Sequence, residues 1–307
     1  MPYSKCPDVI SSRIRRITKM RRKTDVAELL RSLARAISKH PLRSAGHAFV
    51  AFSVLWTITE AAYHFTEWTH LKGGIWVTAT LVFSIVHGVY SGRQLRRIEL
   101  QFLDKTVKVE VLAGDILALD GTTAIQVSEY FESELGLPVS PSSLHGEFIK
   151  RCFGGHPQAF DDQIARGFGG IQPVHMNKQV GKSARYPIGT TVPLTANDKR
   201  YLVFAFTRAD VETCKASADV PLMFEALAGL WAKARTVLGG DTLNVPLIGS
   251  SLSGVGWPTR ELVHMIILSF VDFSRRQMVT GHLRIVLTPN KIDELNLRQL
   301  GHYWKER

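Results

Sequence analysis

The stretch of sequence that decides the fold is Val245-Pro246-Leu247-Ile248-Gly249-Ser250-Ser251-Leu252-Ser253-Gly254-Val255-Gly256. It predicts a short buried strand that passes into a loop of glycine, serine, leucine and valine, and an apolar-periodic helix follows over residues 260–275. Such a loop offers backbone N–H groups, hydroxyl groups and the positive end of a helix dipole to a phosphate. No Gly-Lys-Ser or Gly-Lys-Thr follows, so it is not a P-loop, and an ordinary glycine-rich turn is the alternative interpretation.

Two earlier stretches favour the phosphate-binding interpretation. Residues 109–117, VEVLAGDIL, predict a strand that ends in Gly-Asp-Ile, and residues 143–149, SLHGEFI, predict a glycine-containing loop that opens a helix. In this order the three stretches resemble the macrodomain family, which binds ADP-ribose and related nucleotides. The resemblance covers residues 105–290 and implies an α/β fold with three α/β/α layers around a mixed sheet.

The resemblance also implies which residues bind the ligand. Asp115 would accept from the adenine amino group, with Ile116 beside the ring, while the loops at residues 143–146 and 249–255 would hold the diphosphate and the outer ribose. With Phe206 added, the ligand-binding candidates are Asp115, Ile116, Ser143, Leu144, His145, Gly146, Phe206, Gly249, Ser250, Ser251, Leu252, Ser253, Gly254 and Val255. A carboxylate suits an amine donor, although such an aspartate is also common as a turn or cap residue.

Two departures from the hydrolytic macrodomains favour recognition over turnover. Those proteins carry an asparagine-rich segment after the second strand, where residues 124–130 of this chain read AIQVSEY without an asparagine. Their first loop has a run of glycines, whereas this one reads Ser-Leu-His-Gly. His145 has no partnering nucleophile or metal-ligand pattern in the sequence. We therefore predict no catalytic residue, no metal ligand and no cofactor.

Short apolar runs alternate with helical patterns across the same region. Strands are predicted at residues 106–112, 123–127, 190–194, 201–206, 243–248 and 282–287, and helices at residues 144–151, 223–237 and 260–275. This alternation is typical of an α/β fold with a largely parallel sheet. Residues 154–189 are predicted to be loops, and residues 291–307 to form a C-terminal amphipathic helix.

Positive charge is concentrated at the N-terminus. Residues 1–46 carry twelve Lys and Arg against three Asp and Glu, which gives +9 of the total net charge of +11. This segment is predicted to be a basic arm with an amphipathic helix over residues 24–40, which either lies on an inner membrane leaflet or packs on a neighbouring protein. The three cysteines are far apart and favour reduced thiols over a disulfide framework or a zinc site.

Residues 47–92 are predicted to form a transmembrane helical hairpin. The two spans, about residues 48–65 and 74–90, contain one formal charge, Glu60, which is either functional or close enough to the helix end to reach the headgroups. Two buried core helices are the alternative, but Arg43 before the first span and Arg93, Arg96 and Arg97 after the second favour a membrane with both termini cytoplasmic. The basic arm is therefore expected to meet lipid, not nucleic acid.

A small residue recurs every four positions along the second span, at Thr80, Ser84, Gly88 and Gly92. Small residues let helices approach closely in lipid, either between copies of the chain or within the hairpin. Residues 93–104 lack a glycine or proline hinge and are predicted to be a helical linker to the domain at residues 105–290.

A two-span hairpin followed by a divergent macrodomain resembles the membrane effector of type II Thoeris antiphage defence. The resemblance implies a bacterial inner-membrane protein whose macrodomain senses an NAD-derived messenger, histidine-linked ADP-ribose, made by a TIR-domain synthase. It implies that the effector then oligomerises and disrupts the membrane. The histidyl group of the messenger is inferred from the resemblance alone, because no residue of this sequence indicates recognition of histidine. Two other classes of function stay open, a membrane-tethered ADP-ribosyl hydrolase and an interaction module that anchors partners to the membrane.

Overall fold

The computed structural model describes residues 41–66, 74–92, 95–250 and 254–305, so the predicted amphipathic helix at residues 24–40 lies outside the described residues. The chain divides into two compact units, Met1–Gln94 and Leu95–Arg307.

The first unit contains two helices, α1 over Pro41–Thr66 and α2 over Gly74–Gly92. The four small residues that recur along the second span are the buried residues of α2. A side chain added at Gly88 would meet the Ala48 side chain and the Ser44 carbonyl oxygen of α1, and one added at Gly92 would meet Ser44. This close approach favours packing within the hairpin over packing between copies for that face of α2.

Large apolar side chains cover the outside of both helices. The exposed ones are Leu42, Phe49, Val50, Val54, Trp56, Ile58, Phe65, Ile75, Trp76, Val77, Leu81, Val82, Phe83, Ile85, Val86 and Tyr90. Among the described residues, one helix, Gly74–Gly92, is both long and apolar enough to cross a bilayer. Helix α1 is longer but less apolar, so length and composition together support only the second predicted span.

The second unit is built around one mixed sheet. Its strands are β1 Arg97–Phe102, β2 Val107–Ala113, β3 Thr122–Ser128, β6 Thr191–Ala196, β7 Lys199–Ala209, β8 Ala216–Ser217, β9 Leu243–Pro246 and β10 His282–Leu287. The order is β1-β2-β10-β9-β3-β7-β6, with β8 paired to β7. The five central strands, β2, β10, β9, β3 and β7, are parallel to one another. Strand β1 is antiparallel to β2, and β6 and β8 are antiparallel to β7.

Helices cover both faces of the sheet and complete three layers. The helices are α3 Leu144–Phe153, α4 Pro157–Gly167, α5 Val220–Val237, α6 Thr259–Arg276, α7 Pro289–Asp293 and α8 Leu297–Lys305. One core cluster packs α5 and α6 on the sheet through residues such as Trp231 and Phe270, whose rings lie 5.2 Å apart. The other core cluster packs α3 and α4 on the opposite face through Phe148 and Phe160. The predicted α/β/α arrangement with a mixed sheet is confirmed.

Three of the predicted segments differ from the structure. The predicted helical linker is wrong over Arg97–Phe102, where RIELQF alternates polar and apolar residues and forms β1, with Leu100 buried in the core. The predicted loops at residues 154–189 contain α4 and a two-stranded ribbon, β4 Val174–His175 and β5 Ala184–Arg185. The predicted C-terminal helix is two helices, because the side chain of Asn296 accepts from the Gln299 amide at 3.3 Å and starts α8 anew.

Hairpin packing predicts opposite effects for two glycine-to-alanine changes. Gly46→Ala should stabilise α1 by about 0.5–1 kcal/mol, because alanine lowers the backbone entropy of the unfolded chain and an added Cβ at this position meets nothing within 4 Å. Gly88→Ala should destabilise the hairpin, because its Cβ would lie 2.5 Å from that of Ala48. Helix content of the full-length protein in detergent, followed during titration with SDS, measures both. Equal effects would contradict the packing.

Candidate ligand-binding site

A cleft crosses the edge of the sheet where the five parallel strands end. Its volume is about 710 Å³. Residues at or just beyond the carboxyl end of each strand line it: Gly114 after β2, Leu287 and Thr288 at β10, Pro246 and Leu247 at β9, Ser128 at β3, and Phe206 and Thr207 near the end of β7. Ligands of open α/β sheets bind at this edge, so the topology alone marks the cleft as the candidate site.

Asp115 lies at the β2 end of the cleft, between the lining residues Gly114 and Ile116. It caps the short 3₁₀ helix Ile116–Ala118, where its Oδ1 accepts from the Leu117 amide at 3.1 Å. Its Oδ2 accepts from the Arg151 guanidinium at 2.7 Å, and about half of each side chain is exposed. The cap role that the sequence left open is therefore present, and the carboxylate reaches solvent beside the cleft.

The predicted loop at residues 143–146 is the start of α3. Ser143 is the N-cap residue, and its Oγ accepts from the Gly146 amide at 3.0 Å. That amide is consequently used within the loop. A side chain at Gly146 would collide with the Ser140 carbonyl oxygen, so this glycine is required for packing of the loop. Ser143, Leu144 and His145 line the cleft, and Gly146 does not.

His145 is buried at the wall of the cleft. Its side chain lies 5.7 Å from the Phe160 ring, and its Nε2 has no hydrogen-bond partner among the described residues. Burial, and to a smaller extent the positive charge of Lys182, lowers the pKa of His145 to about 3. The imidazole is therefore neutral near pH 7 and presents an uncharged polar group.

The loop after β9 closes on itself. Gly249 has φ +82°, a left-handed conformation that favours glycine, and its carbonyl oxygen accepts from the Val255 amide at 3.1 Å. The Ser250 hydroxyl donates to the Leu247 carbonyl oxygen at 2.8 Å. The next helix begins at Thr259 without a side-chain cap. Leu247 and Ser250 line the cleft from this loop, and residues 251–253 lie outside the described residues.

The structure brings some of the predicted residues together and not others. The predicted residues that line the cleft are Ile116, Ser143, Leu144, His145, Phe206 and Ser250. Those described but not lining it are Asp115, Gly146, Gly249, Gly254 and Val255. The predicted residues outside the described part of the chain are Ser251, Leu252 and Ser253.

Sequence reasoning missed the lining residues on and after β3. Gln126 and Ser128 lie two positions apart on β3 and both line the cleft. Each has a side-chain oxygen without a partner among the described residues, Gln126 Oε1 and Ser128 Oγ. The alternation of polar with apolar residues along AIQVS was the available signal, because it places both side chains on one face of the strand.

Glu132 brings a buried carboxylate to the same end of the cleft. It forms an ion pair with Lys178, whose side chain is fully buried, and accepts from the Lys182 amide at 3.0 Å. Lys178 also lies over the Tyr130 ring, 4.2 Å from its centre. The only other charged side chain that lines the cleft within the described residues is Lys291, which pairs with Glu294 at 2.9 Å.

The lowered pKa of His145 predicts that the free energy of unfolding depends on pH. The pKa is lowered in the folded state, so the unfolded chain binds more protons below about pH 6.5, and the free energy of unfolding falls with decreasing pH. This group contributes up to about 1.4 kcal/mol for each pH unit between roughly 6.5 and 3. Denaturant unfolding of wild type and His145→Phe measures it, and the variant should show the smaller loss.

Other groups with shifted pKa values do not disturb this comparison. Burial raises the pKa of Glu129 and lowers that of His282, and both residues are present in both proteins. His175→Phe, which removes an exposed histidine of the ribbon, is the matched control for the loss of one imidazole. A His145→Phe slope equal to that of wild type would contradict a neutral, buried His145.

The chain has low similarity to several solved macrodomain structures. A mutant of the Oceanobacillus iheyensis macrodomain has a TM-score of 0.46 and 12% identity, over 69% of this chain and 100% of that one. Another mutant of that protein, solved with ADPR, has a TM-score of 0.45 and 14% identity, over 69% and 100%. The macro domain of ganglioside induced differentiation associated protein 2 has a TM-score of 0.39 and 11% identity, over 64% and 83%.

No curated protein matches the chain. The model of the family described as Thoeris protein ThsA, Macro domain, matches residues 109–288, a segment that runs from β2 to the residue after β10 and contains the carboxyl ends of all five parallel strands. Because this match covers more than half of the 307 residues, the chain belongs to the Thoeris protein ThsA macro domain family.

Proposed function

We propose that the cleft binds an ADP-ribose derivative and that the protein is a sensor. The observation that carries the proposal is the placement of the cleft across all five parallel carboxyl ends, between the loop at Ser250 and the start of α3. These are the positions from which the two predicted phosphate loops approach the edge of the sheet. Membership of a macro domain family supports a ligand of the ADP-ribose class.

The proposed orientation follows the order of the strands. Adenine lies at β2, beside Ile116 and within reach of Asp115, and the diphosphate lies at β9, beside Ser250. The second oxygen of Asp115 pairs with Arg151, so binding of an adenine amino group there requires that Arg151 shares or leaves the carboxylate. An exposed ion pair is weak enough to allow this, worth about 0–1 kcal/mol.

The messenger proposed is histidine-linked ADP-ribose made by a TIR-domain synthase. This identity follows the resemblance to type II Thoeris effectors. We infer recognition and not turnover, since Gln126 and Ser128 occupy the segment where hydrolytic macrodomains carry asparagine. The neutral His145 lines the cleft with no partner on its Nε2 among the described residues.

The hairpin is proposed to anchor the protein in the bacterial inner membrane, with both termini cytoplasmic. Its small residues face inward and its large apolar side chains face outward, the arrangement that a lipid environment requires. Gly74–Gly92 has the length and apolar character of a span. Binding of the messenger is proposed to drive oligomerisation, and the assembled hairpins then disrupt the membrane in antiphage defence.

The adenine assignment is tested by calorimetry with ADP-ribose. Asp115→Ala should weaken binding by about 1–3 kcal/mol, the loss expected for a charged acceptor of a hydrogen bond. Asp120→Ala is the matched control, because Asp120 also pairs with an arginine, Arg284, but lies in the turn before β3, at the edge of the sheet opposite the cleft. Equal affinities of the folded Asp115→Ala variant and wild type would reject the assignment.

Ligand-dependent assembly is tested with the full-length protein. It should stay in the membrane pellet after carbonate extraction, and in detergent its size should rise when histidine-linked ADP-ribose is added. A ligand shifts an assembly equilibrium by its difference in affinity for the two states, so Asp115→Ala should require more ligand for the same rise. Full-length protein that binds the ligand without any change of size would contradict ligand-dependent assembly. Protein that carbonate releases from the membrane pellet would contradict the membrane anchor.

A further inference from the structure

The mixed sheet ends in two edge strands, β1 and β6, and β6 is blocked against further pairing. The Thr190 carbonyl oxygen accepts from the Ala205 amide of β7 at 2.9 Å. By the alternation of an antiparallel ladder, the backbone groups of Pro193 and Thr195 then point away from β7. Pro193 has no N–H group, and the Thr195 amide donates to Gln163 Oε1 at 3.1 Å. The β6 edge therefore offers few backbone donors to another strand.

The open edge of β1 has no such protection. The Arg96 carbonyl oxygen accepts from the Ala113 amide of β2 at 3.0 Å. The same alternation therefore points the backbone groups of Arg97, Glu99 and Gln101 away from β2. Within the part of the chain that the structure describes, these outward N–H and carbonyl groups form no other hydrogen bond. A row of unpaired backbone groups is a template for one more strand.

The two faces of β1 differ. Helix α8 covers the apolar face, where a side chain added at Gly301 would meet Ile98. The opposite face carries Arg97 and Glu99, which bond to each other at 3.0 Å and whose side chains are 58% and 44% exposed. A strand that pairs with β1 would therefore meet accessible charges of both signs.

These charges favour one partner and one register. When two copies of β1 pair antiparallel through their outward residues, the twofold axis passes by Ile98, Glu99 or Leu100. The axis at Glu99 places two glutamates opposite each other, and the axis at Leu100 places Glu99 opposite Gln101. The axis at Ile98 places Arg97 of each copy opposite Glu99 of the other. Opposite charges across a ladder stabilise it and like charges destabilise it, so β1 is complementary to itself.

We propose that the open edge of β1 is the surface through which two copies of this chain assemble, by antiparallel pairing with Arg97 of one copy opposite Glu99 of the other. The sheets of both domains then continue into each other. The inference rests on the proposed function, in which binding of the messenger drives oligomerisation.

The position of β1 in the chain connects this surface to the hairpin. Helix α2 ends at Gly92, five residues before Arg97, and five residues of chain span at most about 18 Å. Pairing of two β1 strands therefore gathers two hairpins, which is the step that the proposed membrane disruption requires.

The start of β1 is also tied to the wall of the cleft. The Ala113 amide that bonds Arg96 belongs to the residue before Gly114, which lines the cleft. The Arg96 guanidinium pairs with Asp293 of α7 at 3.4 Å, and Lys291 of the same helix lines the cleft as well. A ligand that shifts either lining segment thus acts on the backbone beside the new ladder.

Charge reversal tests the pairing in full-length protein in detergent, with size measured before and after addition of histidine-linked ADP-ribose. Arg97→Glu makes both facing positions acidic, and Glu99→Arg makes both basic. Each variant alone should need at least about tenfold more protein for assembly, because like charges face each other twice. An equal mixture of the two variants should assemble like wild type, since every facing pair then joins opposite charges.

Matched controls are Arg276→Glu and Asp272→Arg, which make the same charge changes in an exposed ion pair at the end of α6 and should assemble like wild type. Calorimetry confirms that each variant is folded and binds the ligand. Single β1 variants that assemble at the wild-type concentration, or a mixture that assembles no better than either variant, would overturn the β1 interface and leave the proposed function in place.

Cysteine cross-linking tests the register without depending on the ligand. Residues that face each other in a hydrogen-bonded antiparallel pair have Cα atoms about 5.5 Å apart, within the range of a disulfide. In membranes that contain both Arg97→Cys and Glu99→Cys chains, oxidation should give more mixed dimer than dimer of either variant with itself. Wild-type protein measures the background from the native cysteines.

The two failures are distinguishable. Absence of the mixed dimer, with and without ligand, would overturn the β1 interface. Formation of the mixed dimer by chains whose wild-type parent does not bind the ligand would support the interface and reject the proposed function.

Discussion

Five neighbouring parallel strands must end at one edge of the sheet, and the whole candidate site depends on that constraint. The register is held at the opposite edge, where the strands begin. There the side chain of the fully buried Asn244 donates to the Asp120 carbonyl oxygen at 2.7 Å and joins β9 to the turn before β3. The Thr122 hydroxyl donates to Asp241 at 3.0 Å and repeats the link. With one edge fixed, the carboxyl ends and their loops meet around a single cleft.

The helices of the hairpin pack through close backbone contact and not through large apolar side chains. Its two helices bury little of their surface, and their contact depends on how closely the backbones approach at Gly88 and Gly92. The domain hides large apolar residues in two clusters, whereas the hairpin exposes them and hides the small ones. This contrast in the residues that each unit buries is consistent with the membrane location proposed for the hairpin, beside the length and apolar character of Gly74–Gly92.

Where the sequence carries a strong period, the prediction agrees with the structure. The strand predicted at residues 282–287 is β10, His282–Leu287, and the helix predicted at residues 260–275 is α6 within one residue at each end. The linker failed although RIELQF alternates, because the apolar span before it suggested a continuing helix. The ion pair of Glu132 with Lys178 joins residues 46 positions apart, and no local pattern predicts such a contact.

The sequence motifs predicted the cleft residues that lie in loops better than those that lie on strand β3. They led to Ser143, His145 and Ser250, which line the cleft, because glycine and serine mark turns in any sequence. They also suggested that the loop at residues 143–146 holds the diphosphate and the outer ribose, whereas the N-cap of α3 uses the Gly146 amide. Gln126 and Ser128 became visible only when the register of β3 placed them at the cleft edge.

Gly181 couples the ribbon formed by β4 and β5 to the wall of the cleft. It has φ +80°, and any side chain on it would press on the Glu132 carboxylate. Lys178 and Lys182, on either side of it, hold the same carboxylate. The β4 residues Val174 and His175 are exposed, while the turn of the ribbon is tied to one acidic residue. Divergence of ligand preference in this fold can therefore begin in the ribbon, at positions that touch no ligand, by moving the charge that the cleft presents.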